Sequence, residues 1–316
     1  AVSTDVVYMT TRLRGAETEF LPFNLGDQGG ASNPANPSGY RTAYLWERVL
    51  ERTAWLDILG RFLNQEKKGT PLERLVFPRF HQWDVVNRIE ASVRSEGPGR
   101  KYLIQHSAGS GKSNSIAWLA HRLSTLYALA YGTAGKEDAE CKVFDSVIVV
   151  TDRTVLDKQL QETIYQIEHK IGVVTPITDE GVKSQQLVAA LAQKKPIIIV
   201  TIQTFPALLE LLQRQAADEA GAAAGAAHAP SFAHGRYALI VDEAHSSQSA
   251  GTSHKLKQLL GSAGAAGGDE AEEFSAEDVV TASQQARLLP PNMSVFAFTA
   301  TPKAKTIELF GRPGPD

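Results

Sequence analysis

The sequence predicts an α/β fold: a parallel sheet with helices on both faces, preceded by a small mixed, mainly helical segment. Three observations predict it. Short apolar runs at 102–105, 146–151, 197–201, 237–241 and 295–299 are rich in Val, Ile and Phe, as strands buried on both faces are. Helical patterns separate these runs, so the connections are crossovers rather than hairpins. Each run ends on a distinctive polar segment: HSAGSGKS, TDRT, TIQTF, DEAH and TATP. In open parallel sheets, ligand-binding groups gather at the carboxyl ends of the strands, so all five segments should converge on one edge.

In chain order, residues 1–75 read as a first region. It opens on a strand-like stretch, 2–9, and continues into GDQGGASNPANPSG at 26–39, whose Gly, Pro, Asn and Ser predict an irregular loop. A helical stretch follows, with Tyr44, Leu45, Val49, Leu50, Trp55, Leu56, Leu59 and Leu63 at mixed three- and four-residue spacing. No acid–acid–lysine cluster or histidine pair marks it as catalytic, and a packing layer or linker helix is expected. Residues 76–316 form the second region. After its first strand, Ile116, Leu119, Leu123 and Leu126 repeat at three and four, so HSAGSGKS feeds a helix. The Ala/Gly-rich segments 215–235 and 261–278 read as surface insertions.

The bulk composition narrows the function classes. A net charge of −3 gives no global basic footprint for nucleic acid, although a groove needs only local Lys and Arg. The single cysteine, Cys141, can form neither an internal disulfide nor a cysteine-rich zinc site. No stretch is apolar for long enough to span a bilayer and no signal peptide opens the chain, so a cytoplasmic location without membrane contact is expected. The opening inside a strand-like stretch and the turn-like GRPGPD ending suggest a piece of a longer protein.

Two segments carry the chemistry. In Ser107, Ala108, Gly109, Ser110, Gly111, Lys112, Ser113 and Asn114, backbone N–H groups can wrap phosphate oxygens, Lys112 can neutralise them and the Ser113 hydroxyl can ligate Mg²⁺. The following helix adds its N-terminal dipole. The strict pattern places glycine where His106 stands, and His106 is expected to be structural. In VDEAH, Asp242 can hold the metal's water shell and Glu243 can orient or deprotonate the attacking water. Together the two segments imply ATP and Mg²⁺ as ligands. The bland alternatives are a Gly-Ser turn before a helix and solvated acids at a strand end.

Other candidates have stronger ordinary explanations. His245 is either a surface histidine or a polar coupler. Thr299 and Thr301 either satisfy strand-end backbone or couple the acids to a moving second lobe. Gln82 is a polar residue on an amphipathic helix or a reader of adenine's edge, with Phe77 or Phe80 stacking on the base. Thr151, Arg153, Thr201 and Phe205 suit a sugar–phosphate backbone, a contact carrying no sequence information.

Taken in order, Gln82, GSGKS, TDRT, TIQTF, DEAH and TATP resemble the first, RecA-like motor lobe of superfamily-two helicases and translocases. The wording IQHSAGSGKSNSIAWLAHRL, RYALIVDEAHSSQS and FAFTATPKAKTIELFG is similar to the restriction (R) subunit of type I restriction–modification enzymes. The same holds for VYMTTRLRGAETEFLPFN through AYLWERVLERTAWLDILGRFL. The resemblance implies an ATP-dependent double-stranded-DNA translocase working with methyltransferase and specificity subunits. It also implies a nuclease core before Ala1 and a second lobe, bearing an arginine finger, after Asp316. A DEAH-type RNA or DNA helicase lobe and a non-catalytic ATP-binding switch or scaffold are the rival expectations.

Overall fold

The computed structural model describes residues 1–27, 30–66, 69–70, 73–107, 109–129, 140–151, 154–167, 172–178, 182–201, 204, 235–242 and 293–302. The chain divides into two compact units, Ala1–Arg88 and Ile89–Asp316.

The first unit holds two short antiparallel pairs. Strand β1 (Tyr8–Met9) pairs with β2 (Leu21–Pro22), and helix α1 (Arg52–Asp57) is flanked by π-type turns at Leu45–Val49 and Ile58–Phe62. Strand β3 (Asn64–Glu66) pairs with β4 (Arg74–Val76), and helix α2 begins at Phe80 and runs to Glu96. The strand expected over 2–9 is thus reduced to two residues and an isolated bridge, Val2 to Val7. The single helix expected after 44 is broken at Glu51, whose extended backbone lets its carboxylate cap the amides of Thr53 and Ala54. An aromatic cluster forms the core. Phe80 is 3% exposed and lies edge-on to Phe23, Tyr44 and Trp83, while Arg48 stacks over Phe80 and Trp83 and pairs with Asp84 at 2.9 Å. Phe80 is therefore a core residue, not the base-stacking residue that was one of the expectations.

The second unit is the predicted α/β fold. In chain order it contains β5 (Lys101–Gln105), α3 (Lys112–Ser124), the antiparallel pair β6 (Tyr127–Leu129) and β7 (Glu140–Lys142), β8 (Ser146–Thr151) and α4 (Thr154–Ile167). There follow β9 (Val174–Pro176), α5 (Lys183–Ala192), β10 (Ile197–Thr201), β11 (Tyr237–Val241) and β12 (Met293–Thr299). Six of these strands form one sheet in the order β5-β12-β11-β8-β10-β9, with every neighbouring pair parallel. All residues of β8, β11 and β12 are buried, which is why they read as continuous apolar runs. Edge strand β9 went unseen because Val174–Pro176 is short and contains proline, which edge positions tolerate.

Helix α3 packs its apolar stripe inward: Ile116, Leu119 and Leu123 are fully buried and Trp118 is 1% exposed. It is tied to α4 by His121, whose Nε2 lies 2.8 Å from the Ile164 carbonyl. Arg122, 8% exposed, donates to the buried Glu90 carboxylate, which also pairs with Arg94 at 2.8 Å. Each buried charge in this trio is neutralised, without which its desolvation would be costly.

The amino-terminal ends of three strands meet at one carboxylate. Asp145, just before β8, accepts the Arg236 amide before β11 at 2.9 Å and faces Lys194 before β10 at 3.2 Å. Burial pushes Asp145 upward, but the hydrogen bond from Arg236 and the Lys194 ammonium outweigh it and hold the carboxyl below its ordinary 3.8. Tyr237 is pushed up to about 12, mainly by burial and further by the Asp145 charge. Gly235 lies against this tyrosine so closely that a methyl group there would collide with the Tyr237 hydroxyl.

Asp145→Ala should lower stability by about 1–2 kcal/mol at neutral pH, since the half-buried Arg236 amide loses its charged acceptor; the exposed Lys194 ammonium adds little. Because the folded carboxyl is depressed, its contribution is present above the ordinary value and lost as pH falls through the folded one. The gap between wild-type and variant in denaturant unfolding should therefore be widest near pH 7 and narrow below about pH 4.

Candidate nucleotide site

The five polar segments leave the sheet at one end because the strands that precede them are parallel and nearly in step. Gln105 of β5 lies beside Thr299 of β12, and Ala297 of β12 lies beside Val241 of β11. Val241 is level with Val150 of β8, and Thr151 of β8 is level with Thr201 of β10. One edge thus carries the root of the glycine-rich loop, Thr299, Asp242, Thr151 and Thr201.

The loop is shaped by two left-handed glycines. Gly109 has φ +73° and Gly111 has φ +82°, a region that side chains with a Cβ rarely occupy. Gly111 is also the residue from which α3 starts, and its carbonyl accepts the amides of Asn114 and Ser115 at 3.1 and 3.3 Å. The helix therefore begins at Lys112, and its first amides face the loop as an anion site requires. Lys112, Ser113 and Asn114 are half-buried on this turn, Ser110 is half-buried below it, and Ser107 and Gly109 are exposed.

Across the edge, the Lys112 ammonium lies 3.0 Å from Asp242 Oδ1, with both side chains 15% exposed. Between β5 and β11 stands β12, so their ends are two strand spacings, roughly 10 Å, apart. Lys112, on the first turn of the helix after the loop, reaches across to meet the acid. The Asp242 amide is fixed in turn by the Val150 carbonyl at 3.1 Å. The structure thus brings together one cation, one carboxylate, the Ser113 hydroxyl and a glycine-shaped loop at a helix start.

Other expected residues are placed less directly. Thr299 is fully buried and its carbonyl accepts the His106 amide at 2.8 Å; Thr301 is exposed just beyond it. Thr201 is half-buried, with its hydroxyl 3.2 Å from that of Thr204, a buried residue that sequence patterning did not single out. Thr151 differs from the expectation of a DNA contact. It is 2% exposed and its hydroxyl donates to the Val200 carbonyl at 3.4 Å, so it satisfies the neighbouring strand rather than facing a ligand. Gln82 is 3% exposed in the first unit, where its Oε1 accepts the Arg79 amide at 2.8 Å at the start of α2. Ala108, Arg153, Phe205, Glu243 and His245 lie outside the described residues. Among the described residues no group of three or more His, Cys, Asp or Glu is arranged to hold a metal, and no helix is long and apolar enough to cross a membrane.

The sequence patterning also passed over the mutual support of His106, Ser110 and Ser115. The His106 ring, 5% exposed, contacts Ser110 Oγ through Nδ1 and Ser115 Oγ through Nε2, the latter at 2.9 Å. The one sequence signal for this was the histidine in a glycine's place.

A parallel sheet carrying a glycine-rich loop, a helix-start lysine and an opposed strand-end aspartate defines a nucleoside-triphosphate-binding α/β lobe. Residues 81–312 match the SWI2/SNF2 ATPase family, and the chain belongs to that family. Among solved structures it is similar to the Hef helicase domain of Pyrococcus furiosus, at 15% identity and a TM-score of 0.36, over 72% of this chain and 36% of that one. It is also similar to a hypothetical ATP-dependent RNA helicase from Sulfolobus tokodaii, at 16% identity and a TM-score of 0.32, over 72% of this chain and 53% of that one. The chain thus spans about a third to a half of the length of these structures. No curated protein matches it.

Gly109→Ala should cost about 1–2 kcal/mol of stability even though space is open for a methyl group, because the backbone there is left-handed. Thermal unfolding of the variant beside wild type measures the loss.

Proposed function

We propose that this chain is the first motor lobe of an ATP-dependent double-stranded-DNA translocase, within the R subunit of a type I restriction–modification enzyme. The ATP-driven part is carried by the 3.0 Å pair of Lys112 and Asp242 beside the loop, in a chain of the SWI2/SNF2 ATPase family. The assignment to a restriction subunit is supported by the wording around HSAGSGKS, VDEAHSSQS and FTATPKAK and by the opening segment. Methyltransferase and specificity subunits are the partners this assignment entails.

Lys112 and Asp242 neutralise one another as the structure stands. Nucleotide binding exchanges these partners: the ammonium turns to the β- and γ-phosphate oxygens, and the carboxylate is released for a cation. A carboxylate and a hydroxyl fit Mg²⁺, which prefers few protein oxygens and completes its shell with water and phosphate. Asp242 and Ser113 would hold it, and when bound it supplies neutralisation of the phosphate charge. The loop amides, with Lys112, grip the transferred phosphoryl group while water, aligned by Glu243, attacks the γ-phosphorus and ADP leaves. Thr201, with Arg153 and Phe205, would face the DNA backbone, while His245, Thr299 and Thr301 would couple the hydrolytic state to it.

In the full-length protein, Lys112→Ala and Asp242→Asn should each lower DNA-stimulated ATP hydrolysis by at least about 100-fold, the range for losing a charge placed at the transition state. Steady-state rates with duplex DNA, single-stranded RNA and no nucleic acid test the whole assignment. Stimulation by RNA in place of duplex DNA would point to an RNA helicase, and nucleotide binding without turnover to a switch.

A further inference from the structure

We propose that His106 is a positioning residue that holds the glycine-rich loop in its phosphate-binding conformation before nucleotide arrives. This deepens the nucleotide-site assignment above and rests on it.

The loop is closed on itself by Ser110. Its amide donates to the Ser107 carbonyl at 3.2 Å, and its hydroxyl donates to the same oxygen. With that proton committed, Ser110 Oγ is an acceptor toward the imidazole, so Nδ1 carries the ring hydrogen. In the neutral ring Nε2 is then the acceptor for the hydroxyl of Ser115, a residue with no exposed surface on the first turn of α3. The backbone of the same histidine is tied sideways, its amide donating to the Thr299 carbonyl of β12. One buried residue therefore links three elements: its ring joins the loop turn to the helix that follows, and its backbone joins them to the strand beside. Glycine, which the strict loop pattern carries at this position, could make only the backbone bond. The left-handed turn at Gly109 and Gly111 is held from beneath, so ordering the loop is not charged against ligand binding.

The test uses the full-length protein and a fluorescent ATP analogue with Mg²⁺, measuring equilibrium Kd well below the melting temperature of each variant. The parallel readouts are KM for ATP and saturated DNA-stimulated kcat. His106→Gly should weaken binding and raise KM roughly tenfold, the scale of one or two lost hydrogen bonds, with kcat within about twofold. His106→Asn places an amide nitrogen where Nδ1 stands and should restore binding by donating to Ser110. His106→Gln reaches only the Nε2 position and should not. Unchanged Kd in His106→Gly, or equal weakening in the Asn and Gln variants, would overturn the proposal, because simple packing makes no such distinction. If His106→Gly does not fold, the Asn and Gln pair decides alone. Lys112→Ala separates the two levels. Tight nucleotide binding by that variant would sink the site assignment itself, whereas its loss with all His106 variants unaffected sinks only this inference.

Discussion

The candidate site depends on the insertion of β12 between β5 and β11. The strand that carries the loop and the strand that carries the acid are therefore two strand spacings, roughly 10 Å, apart. One intervening strand sets a gap that Lys112 crosses to meet Asp242 at 3.0 Å. Parallel register then brings the loop root and the acid out at the same end of the sheet, with Val241 level with Ala297 and Gln105 level with Thr299. Local motif chemistry is laid out in space here by the last of the described strands, which returns to lie between two earlier ones.

Much of this was legible in the chain. The runs at 146–151, 197–201 and 237–241 coincide with β8, β10 and β11 residue for residue, because a strand buried on both faces needs apolar residues throughout. The shared edge followed from strand direction. Strand order did not, since nothing in 293–299 says which neighbours it will have. The first unit was least legible: its helical spacing continues through Glu51, yet a side-chain cap there divides the helix into shorter pieces. The fate of individual hydroxyls was also hidden. Thr151 and Thr201 are equivalent in sequence position and register, but one is sealed against Val200 while the other is half-buried beside Thr204.

The two ends of the sheet are built on opposed principles. At the amino-terminal ends, Asp145 gathers the starts of β8, β10 and β11 through permanent internal partners. At the carboxyl ends, Lys112 and Asp242 satisfy one another in a pair that a ligand with both phosphate and cation can take over. The first arrangement adds stability and no chemistry. The second withholds little stability, since exchange of partners leaves every charge neutralised.

Strand β12 is bonded to β5 on one side and β11 on the other, over five residue pairs each. A pull along the strand from its carboxyl end acts across these rungs, so they share the load together instead of opening singly like a zipper. The intervening strand is thus a tie rod: tension arriving there is passed sideways both to the strand that bears the loop's root and to the strand that bears the acid.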